Sequence, residues 1–197
     1  MRELEPFVCA HANRSVNVRH LHADVISSTN DHLKHALRHD PQFATPVVLT
    51  AEYQERGRGQ FDRTWESPAG KDLLFSIAIR PRVPIDRLAG LTVTVARVMQ
   101  DVLERITATK GFLIKAPNDL LFGCKKVCGI LTEQDVVGAR VTFTVIGIGL
   151  NVNARAHELP LEAISLCEIE ERTFDRMMIL HEFLNEFFIT LTNEGIL

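Results

Sequence analysis

The sequence predicts an α+β fold in which a mixed, largely antiparallel sheet is backed by helices. Three observations predict it. Short β-branched runs such as Val47-Val48-Leu49-Thr50-Ala51 alternate with segments of helical period. The stretches 126 to about 136 and 141–153 meet around Gly138 in the manner of an antiparallel hairpin. Near the carboxyl end Phe174, Met177, Met178, Phe183, Leu184, Phe187, Phe188 and Leu191 make an apolar stripe suited to a core-facing helix. Hairpins in place of repeated β-α-β units point to a sheet covered on one side rather than a doubly wound one.

Taken in order, residues 1 to about 16 show no period and read as an irregular lead-in, followed by a short strand at Val18-Arg19-His20-Leu21. Ser27-Ser28-Thr29-Asn30 offers helix caps, and Leu33, Ala36 and Leu37 share one face of a helix ending near His39-Asp40-Pro41. After the strand at 47–51, residues 54–70 carry little apolar period and read as a long loop, a feature often functional in compact domains. Leu73-Leu74-Phe75-Ser76-Ile77-Ala78-Ile79 is a second buried strand. From Asp86, the residues Leu88, Leu91, Val95, Val98, Val102 and Ile106 mark a long helix that Gly111 can terminate. Phe112-Leu113-Ile114-Lys115 is a strand stopped by the turn sequence Ala116-Pro117-Asn118-Asp119.

Composition narrows the function. The 197 residues fit one domain, and 46% hydrophobic with 24% charged residues is a globular balance. A net charge of -3 gives no global attraction to nucleic acid, so no DNA partner is expected. The charged start, Met1-Arg2-Glu3-Leu4-Glu5, does not lead into a secretory apolar core, and no stretch is apolar enough for a membrane span. Four scattered cysteines argue against a disulfide framework and suit a reducing cytoplasm. Cys124 and Cys128 alone fall short of the four ligands of structural zinc.

No phosphate loop of the G-x-x-x-x-G-K-[ST] type occurs, and Gly147-Ile148-Gly149-Leu150-Asn151 lacks the third glycine of a dinucleotide site. The candidate for holding a nucleotide is instead Gly57-Arg58-Gly59-Gln60-Phe61-Asp62-Arg63-Thr64-Trp65. Its glycines let backbone approach a ligand, its guanidiniums can pair phosphate oxygens, and its indole, the only tryptophan of the chain, offers a stacking face. Read alone, it is equally an exposed basic loop. Pro117-Asn118-Asp119, Lys126-Val127-Cys128-Gly129-Ile130-Leu131-Thr132-Glu133 and Gly147 to Asn153 add further candidates at predicted strand ends.

Together and in this order, with Ser28-Thr29-Asn30, Ala51-Glu52-Tyr53-Gln54 and the ending Trp-x-Ser-Pro-x-Gly at 65–70, these stretches resemble the catalytic domain of the biotin protein ligases (biotin-[acetyl-CoA-carboxylase] ligases). The resemblance covers most of the chain, from about Ser28 to the last helix. It implies the fold of that domain, which is similar to class II synthetases, and one catalytic domain over residues 1–197 without an amino-terminal helix-turn-helix or a carboxyl-terminal β-barrel. It implies a cytoplasmic, monofunctional enzyme, monomer or homodimer, that uses ATP and Mg²⁺ to convert biotin to biotinoyl-AMP and then biotinylates a lysine of a biotin carboxyl carrier protein, the acetyl-CoA carboxylase subunit. By position, Ser28, Thr29, Asn30, Gln54, Gly57, Arg58, Gly129, Gly147 and Gly149 would line the biotin site. Arg58, Arg63, Trp65, Asn118, Asp119, Lys126 and Asn151 would bind the nucleotide, with Lys126, Arg58 and Arg63 catalytic and Mg²⁺ near Asp119 and Asn118.

Such chemistry needs cations. Two unit charges at about 4 Å repel by about 1 kcal/mol in water and about 4 kcal/mol at an effective dielectric near 20, so a carboxylate meets an α-phosphate only where positive groups gather. The chain departs from the family's Gly-Arg-Gly-Arg-x-Gly-Arg-x-Trp and Lys-Trp-Pro-Asn-Asp at Gln60, Asp62 and Ala116, which leaves the loop less cationic. Two rival readings remain: a lipoate or octanoate transferase, and a non-catalytic ligand- or nucleic-acid-binding module supported by the basic loop alone.

Overall fold

The computed structural model describes residues 1–11, 14–40, 42–61, 63–138 and 140–197. Its strands are β1 (Arg2–His11), β2 (Arg14–Ile26), β3 (Val47–Gln54), β4 (Leu73–Ile79), β5 (Phe112–Lys115), β6 (Asp119–Phe122), β7 (Lys125–Val137) and β8 (Arg140–Leu150). Helices are α1 (Thr29–His39), α2 (Leu91–Ile106), α3 (Leu166–Glu170) and α4 (Arg176–Asn193). The strands form one sheet in the order β1-β2-β3-β4-β8-β7-β6-β5. Only β2 and β3, joined through α1, run parallel, and the other neighbours are antiparallel, so the sheet is mixed and largely antiparallel as expected.

β4 lies mid-sheet, and all seven of its residues are buried, which explains an apolar run without alternation. Phe75, Ile77 and Ile79 face one side and join Val95, Met99, Leu103, Phe183, Leu184 and Phe187 in the main core under α2 and α4. Ala78 faces the other side, where Leu33 and Leu37 of α1 pack with Leu21, Val47, Leu49, Phe143 and Val145. Both faces therefore carry a helix, which corrects the expectation of a sheet covered on one side. The second cover is α1, which packs on β3, β4 and β8 and leaves the β7–β6–β5 side of that face open. The uncovered part of that face holds the site.

Other departures have local causes. The irregular lead-in is a long edge hairpin, β1 with β2, tied by Arg19 Nε and Nη2 to the Glu3 carboxylate at 2.6 and 2.9 Å. Most β1 side chains are exposed, so no apolar period marks the strand. The predicted helix from Asp86 begins at Leu91, because Pro84 starts a 3-10 turn over Ile85–Leu88 and Gly90 separates it from α2. A glycine inside the helix would cost about 1 kcal/mol. That helix ends at Ile106, with Thr107 as its cap, before Gly111. The turn 116–118 leads straight into β6, and α3 was also unforeseen, both too short for a period to show. Of the carboxyl-terminal stripe, Met177 and Met178 lie exposed on the first turn of α4. Pro41 falls outside the described residues.

Candidate functional site

On the α1 face a cavity of about 300 Å³ opens over β4, β8 and β7, within the usual range of roughly 300–1,000 Å³ for ligand pockets. Its floor is bare by sequence. Gly147 and Gly149 of β8 pair with Leu131 and Gly129 of β7, and these residues point to the same side. A methyl group at Gly147 would run into the Asn30 side-chain amide, and one at Gly149 into the Trp65 indole. A methyl at Gly129 would sit 2.7 Å from Trp65 Cζ3 and 3.0 Å from Lys126 Nζ. The glycines are there because side chains from elsewhere lie on the backbone.

The start of α1 forms one wall. Ser28 caps the helix, its hydroxyl accepting from Asp31 N at 3.4 Å. The Thr29 N–H and hydroxyl both donate to Gln54 Oε1, at 2.8 and 3.0 Å. Ser76 Oγ lies 2.6 Å from Thr29 Oγ1 and donates to Asn30 Oδ1 at 2.5 Å. Asn30 Nδ2 donates to Glu133 Oε2 at 2.9 Å and to Leu131 O at 3.3 Å. Asn30 therefore spends its amide on the protein, and the structure places it as a fixed part of the wall rather than as a spare donor for a ligand.

The glycine-arginine loop forms the roof. Trp65 N donates to Gly57 O at 2.9 Å and Gly59 N to Arg63 O at 2.7 Å, making a small hairpin from 57 to 65. Gly57 is required because a side chain there would strike the Trp65 carbonyl, and it lies in this hairpin rather than on the cavity surface. Beyond Trp65 the loop is moored by Asp72, which sequence reasoning missed. Asp72 is buried and accepts from Ser67 Oγ at 2.7 Å, Val152 N at 2.8 Å and Ala154 N at 3.3 Å. Burial raises its pKa, against the lowering effect of these hydrogen bonds. Gln60, Phe61 and Arg63 line the cavity, and Asp62 falls outside the described residues.

Opposite stand the polar groups of β6 and β7. Lys126 Nζ is 2.7 Å from Asp119 Oδ1 and 5.3 Å from the centre of the Trp65 ring. Asn118 Nδ2 donates to Ile130 O, and Ile130 N returns a bond to Asn118 O, so the 116–118 turn is fastened to β7. Arg58 Nη2 lies 2.5 Å from Glu133 Oε2 and 2.8 Å from Asp31 Oδ1. The Trp65 indole N–H is shielded from solvent and has no acceptor among the described residues. A buried donor left this way costs about 1–3 kcal/mol, which an acceptor on a bound molecule would recover.

The structure thus gathers Ser28, Thr29, Asn30, Gln54, Arg58, Arg63, Trp65, Asn118, Asp119, Lys126, Gly129, Gly147 and Gly149 around one cavity. Asn151 is placed differently from the expected nucleotide contact. It is buried, and its Nδ2 donates to Lys126 O at 3.2 Å and Ile164 O at 3.3 Å. It holds the Lys126 backbone in register, since β8 ends one residue earlier and its side chain turns under β7. Cys128 points into the main core, where burial pushes its thiol up to about 12, while Cys124 is exposed.

A glycine-floored sheet face with a tryptophan on it and guanidinium and ammonium groups at its rim is suited to holding an anion beside an aromatic stacking surface. The match to the biotin/lipoate A/B protein ligase family spans residues 22–151, and the chain belongs to that family. It is 35% identical over 170 residues to the bifunctional ligase/repressor BirA of Bacillus spizizenii, covering 83% of this chain and 51% of that protein. It is 32% identical over 143 residues to the biotin-[acetyl-CoA-carboxylase] ligase of Mycobacterium tuberculosis, covering 71% of this chain and 52% of that one. The chain spans about half the length of these curated relatives. Among solved structures, the biotin protein ligase of Aquifex aeolicus in complex with biotin and ATP superposes with a TM-score of 0.73 at 28% identity, covering 89% of this chain and 71% of that one.

Proposed function

We propose that this chain uses ATP to activate the carboxylate of biotin as biotinoyl-AMP and passes the biotinoyl group to a lysine of a biotin carboxyl carrier protein, the subunit of acetyl-CoA carboxylase. The observation that carries this reading is the placement of Arg58 and Lys126 at the rim of a glycine floor on which the only tryptophan lies. In the first step a biotin carboxylate oxygen bonds to the α-phosphorus, and the bond from that phosphorus to the bridging oxygen breaks, releasing pyrophosphate. Lys126 and Arg63 stabilise the charge gathering on the phosphates, while Arg58 holds the approaching carboxylate. In the second step the neutral amine of the carrier lysine attacks the acyl carbon, AMP leaves, and the nitrogen loses its proton to solvent. The roof loop shields the mixed anhydride from water between the steps.

Among the described residues no group of three His, Cys, Asp or Glu side chains is gathered for a metal. Mg²⁺ carried by ATP takes one or two protein carboxylates and otherwise phosphates and water. Asp119, beside Asn118, offers that carboxylate. Bound there, Mg²⁺ would supply charge neutralisation for the phosphates.

The same reading places the enzyme in the cytoplasm as a monomer or homodimer without a DNA partner, which the net charge of -3 supports. Among the described residues no helix is long and apolar enough to cross a membrane. Incubation with radiolabelled biotin and ATP, with and without a carrier domain, tests the reading. Label on the carrier only when ATP is present is the expected result. Label from lipoate but not from biotin would replace the substrate, and no label from either would overturn the activity.

A further inference from the structure

Glu133 touches both the wall and the rim of the site without lining the cavity. Its Oε2 takes Arg58 Nη2 at 2.5 Å and Asn30 Nδ2 at 2.9 Å, and its Oε1 takes Lys34 Nζ at 2.6 Å. The carboxylate thus links β7 to two places on α1 and to the glycine-arginine loop. Through Asn30 the same network continues to Ser76 and Thr29, and from Thr29 to Gln54. Burial would raise the pKa of Glu133, but the hydrogen bonds from Arg58, Lys34 and Asn30 outweigh it and hold the carboxyl below its ordinary value. Glu133 is therefore a fixed anion next to a site built for anions.

That position needs a reason, because a carboxylate here opposes the binding of biotin and ATP. Lys34, which does not line the cavity, answers part of the opposition by neutralising Oε1. The rest is answered by orientation. Arg58 sits on a loop, carries a long side chain, and is partly exposed. Unheld, it would spread over many rotamers, and a ligand would have to bear the cost of fixing it. Glu133 and Asp31 grip the same Nη2, which fixes one end of the guanidinium of this cavity-lining residue.

We propose that Glu133 is a positioning residue for adenylate formation, fixing Arg58 and the Asn30 wall at the expense of some attraction for the anionic substrates. The inference rests on the adenylating activity proposed above. Its consequence is a split. Removing the charge of Glu133 takes a repelling anion from the site but frees Arg58, so the two effects on ground-state affinity offset while the reacting geometry is lost. A residue that only supported the fold would weaken binding and rate together and lower the unfolding temperature.

The test compares the wild-type chain with E133Q, which keeps the size of the side chain and an acceptor for Asn30. Biotin and ATP dissociation constants are measured by calorimetry, the adenylation rate by single-turnover quench, and the thermal midpoint by circular dichroism. The expected result is an adenylation rate about tenfold lower, with both dissociation constants within threefold of wild type or tighter. A rate within twofold of wild type overturns the positioning role, and so does a parallel loss of affinity and rate with a lowered midpoint. Absence of adenylate from the wild-type protein would overturn the activity itself, and is told apart because it appears before any variant is made.

Discussion

Lys126 Nζ lies 2.7 Å from Asp119 Oδ1, so the ammonium assigned to the phosphates is held in place by a carboxylate from the neighbouring strand. Lys126→Ala is expected to lower biotin-dependent pyrophosphate release by a hundredfold or more, since a charge placed for the transition state is typically worth about 3 kcal/mol. It also leaves Asp119 without its partner in a half-buried position. Adding Asp119→Asn should restore the thermal midpoint but not the activity. Pyrophosphate release within threefold of wild type in the single variant would remove Lys126 from the reaction.

The bare glycine floor yields a spectroscopic prediction. Gly149→Ala puts a methyl group where the Trp65 indole rests, and overpacking of this kind costs about 1–3 kcal/mol. The ring should be displaced toward solvent. Because Trp65 is the only tryptophan, its emission reports on that one place, and a shift to longer wavelength is expected together with weaker ATP binding. An unchanged emission maximum would mean that the indole does not lie on Gly149.

How much of this was legible in the sequence depends on what each residue answers to. β4 was readable because it is buried on both faces, and the β7–β8 hairpin because its apolar pattern is long. β1 was not, because an edge strand with exposed side chains carries no pattern. Gly129, Gly147 and Gly149 were found by motif, but their cause, the approach of Trp65 and Asn30, is a tertiary fact. Asn151 was in the motif, but nothing local shows that its amide turns to the Lys126 carbonyl. Glu133 was named only as the end of a motif, without a role, and Asp72 not at all, for the same reason: their partners lie far along the chain.

A buried histidine pair under α4 gives the fold an acid limit. His20 Nε2 and His22 Nδ1 each lie 2.9 Å from the one hydroxyl of Thr50, and His22 Nε2 reaches toward Asp24 and Glu52. Burial, and secondarily the charge of His22, push the His20 imidazole down to about 4. The unfolded chain takes up this proton near pH 6.5 and the folded one only near pH 4, so stability falls as pH drops through that window. The full effect is about 3 kcal/mol below both values. Denaturant unfolding of wild type and His20→Gln across pH 4–7 should show the slope reduced in the variant. Parallel curves would mean that His20 is not buried neutral.

The last prediction concerns Gln60, which lines the cavity where the commoner family pattern has arginine. An arginine there would place a permanent charge near the phosphate of the adenylate, and hydrogen bonds to charged groups contribute about 1.5–3 kcal/mol against about 0.5–1.5 for neutral ones. Gln60 can donate but brings no charge, and its neighbour in the turn, Arg63, supplies the remaining cation of this end of the loop. The roof should therefore release biotinoyl-AMP more readily than it would with arginine. Gln60→Arg is expected to slow adenylate dissociation about tenfold, the equivalent of about 1.4 kcal/mol, with most of the change in the off-rate. Stopped-flow dissociation of the preformed adenylate from both proteins decides the matter. Equal off-rates would mean that Gln60 has no part in retaining the adenylate.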